Sequence, residues 1–135
     1  MADVFNPEKR SAIMARIKGE NTKPEIVVRK LVHSLGYRFR LHQSTLLGKP
    51  DLVFARHRKI IFVHGCFWHG HGCARATLPS SNVHFWQKKI LGNRRRDGRV
   101  RRSLIRDGWQ VLVVWQCQIR NVEKLKERLS SFLMS

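Results

Sequence analysis

Acidic residues are scarce in this chain: nine Asp and Glu stand against 27 Lys and Arg, a formal net charge of +18 over 135 residues. Cysteine is scarce too, at three, and so are proline, at four, and tyrosine, at one. No apolar run reaches the roughly 18 residues of a membrane-spanning helix. The N-terminal residues Met1-Ala2-Asp3-Val4-Phe5-Asn6-Pro7-Glu8 carry no apolar secretory core, so a cytoplasmic protein is expected. In that compartment three cysteines favour metal binding or thiols over disulfides. A hydrophobic share of 42% excludes a disordered basic tail. The length fits one domain, residues 1–135, with a core that needs no staples. The charge asks for a polyanionic partner, nucleic acid before an acidic protein or a membrane surface. No basic helix carries an aromatic lipid-facing side, so no membrane partner is expected.

Hydrophobic periodicity divides the chain into eight elements. Residues 8–17 read as a short basic helix with Ile13, Met14 and Ile17 on one side. Thr22-Lys23-Pro24-Glu25 is a helix start, with Thr as N-cap, Pro in the first turn and Glu at N3 of a capping box. That helix should turn Ile26, Val27, Leu31 and Leu35 inward and stop at Gly36. Tyr37 to Leu41 alternates as a strand, and Leu47-Gly48-Lys49-Pro50 is a turn. Asp51–Ala55 and Lys59–His64 form a hairpin about Arg56-His57-Arg58. A helix spans about 83–106 despite Gly92 and Gly98. Val111–Trp115 suits a central strand, and residues 121–134 form a last helix with Val122, Leu125, Leu129, Phe132 and Leu133 inward. The order α-α-β-β-β-α-β-α implies an α/β fold, a mixed sheet flanked by helices.

Chemistry concentrates between Ile60 and Cys73, where two Cys, three His, a Phe-Trp pair and three Gly crowd one loop. Cys66, His71 and Cys73, with Cys117 just after the Val111–Trp115 strand, supply three thiolates and an imidazole for a closed, structural tetrahedral Zn²⁺ site. His69 is the alternative imidazole, and three unrelated buried cysteines are the bland reading. Asp51, behind Pro50, stands at the start of a core strand beside the end of its neighbour at Val63-His64, and would suit Mg²⁺. A turn carboxylate capping backbone amides would look the same. The outline is that of nucleases with a Pro-Asp…Asp/Glu-x-Lys core, but Phe62-Val63-His64 replaces the second acid and the lysine. Histidine would then take over proton work, with His64 and His69 available. Glu25 is a further candidate whose capping role explains it without catalysis.

Together Arg10-Ser11, Met14, Pro50-Asp51, His64-Gly65-Cys66-Phe67-Trp68-His69, Cys73, Phe85-Trp86, Gly108-Trp109 and Val114-Trp115 with Cys117 resemble the very short patch repair (Vsr) DNA mismatch endonucleases, over about residues 8–134. The resemblance implies a restriction-endonuclease-like fold and a Mg²⁺-dependent nick 5′ to the thymine of a T·G mismatch left by 5-methylcytosine deamination. Its substrate would be double-stranded DNA, bound by a monomer. It would be linked in function to a cytosine-5 methyltransferase and a repair polymerase and ligase. By position, it implies Asp51 and the Val63 carbonyl as Mg²⁺ ligands, and His69 as general base assisted by His64 and Glu25. It also implies Cys66, His71, Cys73 and Cys117 as Zn²⁺ ligands, with Phe67, Trp68 and Trp86 as a wedge entering the duplex. Met14, on an N-terminal arm of residues 1–20, would approach from the opposite groove. Separating a base step costs a few kcal/mol, less at a mismatch, and stacking on aromatics returns roughly 1–3 kcal/mol per base. Shielding of the zinc is the plain alternative for Phe67 and Trp68. Position 63 is Val where the family is associated with Thr, which a carbonyl ligand survives. Arg94, Arg95, Arg96, Arg99, Arg101, Arg102 and Arg106 read as phosphate contacts, which position without specifying sequence. A restriction-type nuclease and a zinc-stabilised nucleic-acid-binding module are the competing functions.

Overall fold

The computed structural model describes residues 22–71 and 81–135. The expected 8–17 helix, Met14 and Cys73 lie outside these residues. Helix α1 (Lys23–Ser34) starts as its sequence dictates, with Thr22 as N-cap in extended backbone and Pro24 in the first turn. A four-stranded sheet follows in the order β1-β2-β3-β4, from Arg40–Leu41, Leu52–Phe54, Lys59–His64 and Gln110–Trp115. The first three strands are antiparallel, and β4 runs parallel to β3. Helix α2 (Val83–Arg106) makes the crossover between them, and α3 (Val122–Met134) closes the described chain. The strand expected over Tyr37–Leu41 is paired only at Arg40–Leu41, opposite Val53 and Leu52. The hairpin forms with a 3-10 turn at Ala55–His57 and Arg58 in the left-handed region (φ 56°). Helix α2 runs unbroken through Gly92 and Gly98.

The two faces of the sheet carry separate cores. Leu52, Phe54, Ile61 and Val114 pack with Val28 and Val32 of α1 and Leu125, Leu129 and Leu133 of α3. On the other face Val53, Ile60 and Phe62 pack with Leu104 and Trp109, and with Val100 of α2. Two inward assignments need correction. Ile26 is 38% exposed, because α1 settles on the stripe Glu25-Val28-Val32, flanked by Leu31 and Leu35, and Ile26 lies off it on the side of exposed Lys30 and His33. Val122 is 46% exposed, because the inward face of α3 is the i, i+4, i+8 row Leu125-Leu129-Leu133 and Val122 opens the first turn outside it.

One buried cation fixes the end of the fold. Lys59 is 3% exposed. Its Nζ donates to the main-chain oxygens of Phe132 at 2.7 Å, Leu133 at 2.9 Å and Ser135 at 2.7 Å. The last carbonyls of a helix lack intrahelical partners and sit at its negative end, so an ammonium there satisfies both.

Candidate active site and metal centre

The functional side chains gather where β3 ends and β2 begins. Asp51 enters β2 behind Pro50, and its Oδ2 accepts the Val63 N–H at 2.7 Å. Glu25 comes from the first turn of α1. Thr22 Oγ1 accepts the Glu25 N–H at 3.5 Å, which is one half of the expected capping box. The Glu25 carboxylate turns inward, 1% exposed, and is bonded by Arg29 and by His42, whose Nε2 lies 2.6 Å from Oε1. Ligand atoms of Glu25, His42 and Asp51 all lie within 4.8 Å of one another. Burial, then a hydrogen bond with Glu25 and its negative charge, push the Asp51 carboxyl up to about 8, against the opposing Val63 N–H and Arg29. In effect the two acids hold a proton between them. A hard divalent cation does the same work with more charge, so these residues fit the Mg²⁺ that a nuclease of this outline needs.

Strand alternation sends Val63 toward the α1 and α3 core and His64 toward α2. His64 and His69 stack with centroids 3.8 Å apart and planes within 5°. His69 Nδ1 lies 2.5 Å from Asp97 Oδ2 on α2. An ionised carboxylate can only accept, so Nδ1 carries the proton and Nε2 is left as the basic nitrogen. Burial alone would raise the Asp97 pKa, but the His69 hydrogen bond and the neighbouring His69, His64 and Arg96 hold it below its usual value. Burial and then the neighbouring His69 push His64 down to about 3, against a smaller pull from Asp97, so His64 stays neutral. This group lines a cavity of about 180 Å³ with Phe62, Val100, Trp115 and two α2 arginines, Arg94 and Arg101. The structure therefore pairs Asp51 with Glu25, and His64 with His69, as two groups flanking the end of β3. It does not place either histidine in the Asp51 group.

The candidate metal-ligand trio is brought together from the middle of the chain and from the end of β4. Ligand atoms of Cys66, His71 and Cys117 lie within 4.8 Å of one another, with Cys117 Sγ 3.6 Å from His71 Nδ1. Tetrahedral zinc, with Zn–S about 2.3 Å and Zn–N about 2.1 Å, sets its sulfur and nitrogen ligands about 3.6 Å apart. The residues fit that ion, and the geometry favours His71 over His69, whose ring is engaged with Asp97. The loop is held besides by Asn93, buried on α2, which donates to the Trp68 carbonyl at 2.8 Å. Gly70 makes this approach feasible: it has φ +65°, and a Cβ there would meet Arg94 and Ile90 side-chain carbons at 2.7 Å.

Phe67, Trp68 and Trp86 form one edge-to-face cluster, with centroid separations of 5.2, 5.3 and 5.8 Å. All three keep part of their surface exposed. Phe85 extends the cluster at 5.1 Å from Trp86 and is 58% exposed. Arg94, Arg95, Arg96, Arg99, Arg101, Arg102 and Arg106 are all exposed along α2.

A buried and a half-buried carboxylate that suit a cation, a histidine with one nitrogen fixed by an acid, and a rim of arginines are the parts of a phosphodiester-cleaving nuclease. Residues 2–75 match the family described as DNA mismatch endonuclease Vsr. The type II nicking enzyme V.XorIIP of Xanthomonas oryzae pv. oryzae is 49% identical over 133 residues, 98% of this chain and 98% of that enzyme. The type II nicking enzyme V.NmeAIP of Neisseria meningitidis is 41% identical over 130 residues, 96% of this chain and 93% of that one. The DNA mismatch endonuclease Vsr of Escherichia coli is 40% identical over 127 residues, 94% and 81% respectively. The chain belongs to the Vsr family of DNA mismatch endonucleases, and it is a DNA endonuclease.

Four site residues escape a reading of the sequence. Arg29 has a signal, since it stands four residues after Glu25 on one helix face. Asp97 had one too: it is one of nine acids in the chain, stranded among seven arginines of α2. His42 and Asn93 had none, because a lone polar residue in a loop or helix acquires meaning only from what the fold brings to it.

Proposed function

We propose that this protein is a Mg²⁺-dependent endonuclease that nicks one strand 5′ to the thymine of a T·G mismatch in double-stranded DNA. It acts as a monomer in the bacterial cytoplasm and initiates very short patch repair of deaminated 5-methylcytosine. A cytosine-5 methyltransferase defines the sites at risk, and a repair polymerase and ligase complete the work. The observation that carries this reading is the convergence at one end of the sheet of an acid pair, an acid-oriented histidine and a half-buried three-ring aromatic cluster.

Each residue then has a task. Asp51 and the Val63 carbonyl would hold Mg²⁺, which would supply charge to polarise the phosphodiester and ease deprotonation of water. His69 Nε2 accepts the proton of the attacking water, and Asp97 keeps the imidazole in the tautomer that can do so. His64, held neutral, stacks on His69 and offers a hydrogen bond to phosphate. Glu25 shares the acid pair and would assist Asp51 at the cation site through water. Phe67, Trp68 and Trp86 enter the base stack beside the mismatch, where opening a step costs least. Met14 approaches from the other groove. The α2 arginines neutralise phosphates, so binding weakens steeply with salt. Cys66, His71, Cys73 and Cys117 would hold Zn²⁺, which would keep the loop rigid.

The test is incubation of the protein with Mg²⁺ and end-labelled duplexes that are identical except for T·G, other mismatches, or matched C·G. A single nick 5′ to the mismatched thymine is expected, with the complementary strand intact and the matched duplex uncut. Double-strand cleavage of matched DNA, or no cleavage with any divalent metal, overturns the reading.

A further inference from the structure

His42 takes no part in the chemistry assigned above, yet two bonds tie it to the acid pair. It follows β1, where register sets it opposite Asp51, and its N–H donates to the Asp51 carbonyl at 3.2 Å. Its backbone is in the left-handed region (φ +47°), which non-glycine residues occupy only when their surroundings hold them there. That backbone aims the ring at Glu25, with Nε2 2.6 Å from Oε1. Arg29 bonds the other oxygen, Oε2. The Glu25 side chain is 2% exposed, against 13% for His42 and 19% for Arg29, so little water reaches the carboxylate that they bond. Glu25 is thereby clamped from two sides with its carboxylate against Asp51.

We propose that His42 is a positioning residue of the cation site: its imidazole, with Arg29, fixes the Glu25 carboxylate at the spacing from Asp51 that a divalent cation requires. The proposal rests on the reading of Asp51 and Glu25 as the cation site. The chemistry is that of an outer-shell partner, which holds a carboxylate in one orientation so that binding an ion needs no rearrangement. Losing such partners typically lowers metal affinity 10–100-fold. His42 suits the task for a second reason. Its main chain bonds Asp51 while its side chain bonds Glu25, so one residue sets both acids relative to each other. The backbone bond needs only the main-chain N–H, which Gln and Leu keep at position 42, and this makes the imidazole's share separable. Gln can present an amide N–H at about the reach of Nε2, and Leu fills the space with no donor.

The experiment measures Mn²⁺ binding from the loss of the free-ion electron paramagnetic resonance signal, on the full chain with and without T·G duplex. Wild type, His42→Leu, His42→Gln and Asp51→Asn are compared. His42→Leu is expected to weaken Mn²⁺ binding about 10-fold or more. It should raise the Mg²⁺ concentration for half-maximal nicking in step, with the rate recovering at saturating Mg²⁺. His42→Gln should restore both to within about threefold of wild type. If Asp51→Asn abolishes Mn²⁺ binding but His42→Leu leaves it unchanged, the role of His42 is overturned and the cation site stands. Failure of folded His42→Gln to rescue also overturns it, as does a ¹⁴N coupling to bound Mn²⁺ that is lost in His42→Gln, since that makes His42 a ligand. If Asp51→Asn binds Mn²⁺ like wild type, the cation reading itself fails.

Discussion

Asp51→Asn should make the metal-free protein more stable while removing its activity. Asp51 is pushed up from 3.8 to about 8 in the fold. Between those values the folded chain keeps a proton that the unfolded chain has lost. More protons bound in the folded state means that stability falls as pH rises through this window, by at most about 1.4 kcal/mol per pH unit. Asn has no such proton to keep. Its Oδ1 can accept the Val63 N–H as the carboxylate does, and its amide can donate to Glu25. From pH 7 to pH 5 the ceiling on the change is therefore about 3 kcal/mol. With water reaching the partly exposed Asp51 side chain, about half of that is expected. The assay is urea unfolding of both proteins without added Mg²⁺ at pH 5 and pH 7. Asn should be stabilised by about 1 kcal/mol at pH 5 and by roughly 2–3 kcal/mol at pH 7. Added Mg²⁺ should then stabilise only the Asp51 protein, and nicking by the variant should fall by about 10³-fold or more. A difference flat with pH, or an Asn variant less stable at both, refutes the reasoning.

Lys59→Met keeps the aliphatic stem and removes the ammonium that holds the end of α3. Three main-chain oxygens then lose a charged donor, which should cost about 2–3 kcal/mol in urea unfolding, and a loss under 0.5 kcal/mol would show the clamp to be incidental. Purified protein should carry one zinc per chain by elemental analysis. Cys117→Ser should lose most of it and lower the melting temperature by roughly 5–10 °C, whereas a zinc-free protein with unchanged melting and nicking would contradict the metal centre.

Much of this fold is written locally. Thr22 with Pro24 starts α1, the apolar run Lys59–His64 forms its strand, and the Leu125-Leu129-Leu133 row of α3 faces the core. The Asp51 turn and the Cys66, His71 and Cys117 trio also came from spacing and ligand chemistry. What stayed hidden are pairs that meet only through the fold. His42 and Glu25 are 17 residues apart, His69 and Asp97 are 28, and Lys59 reaches the end of α3 more than 70 residues on. Periodicity says which side of an element is apolar, and nothing about which polar residue will stand opposite another. Glu25 shows the limit from the other side. Its capping position was a sufficient local explanation, and it concealed a carboxylate turned into the site.

Helix α2 carries Trp86, of the aromatic cluster, and Asp97, which orients His69. The two are eleven positions apart, about three full turns and roughly 16 Å along the axis, so they face the same side. On the function proposed above, that helix would be a ruler between the place where a duplex is opened and the place where it is cut. Inserting or deleting one residue between them would rotate one end by about 100° against the other. Such a protein could keep its fold and its grip on DNA and still lose the agreement between finding a mismatch and nicking beside it.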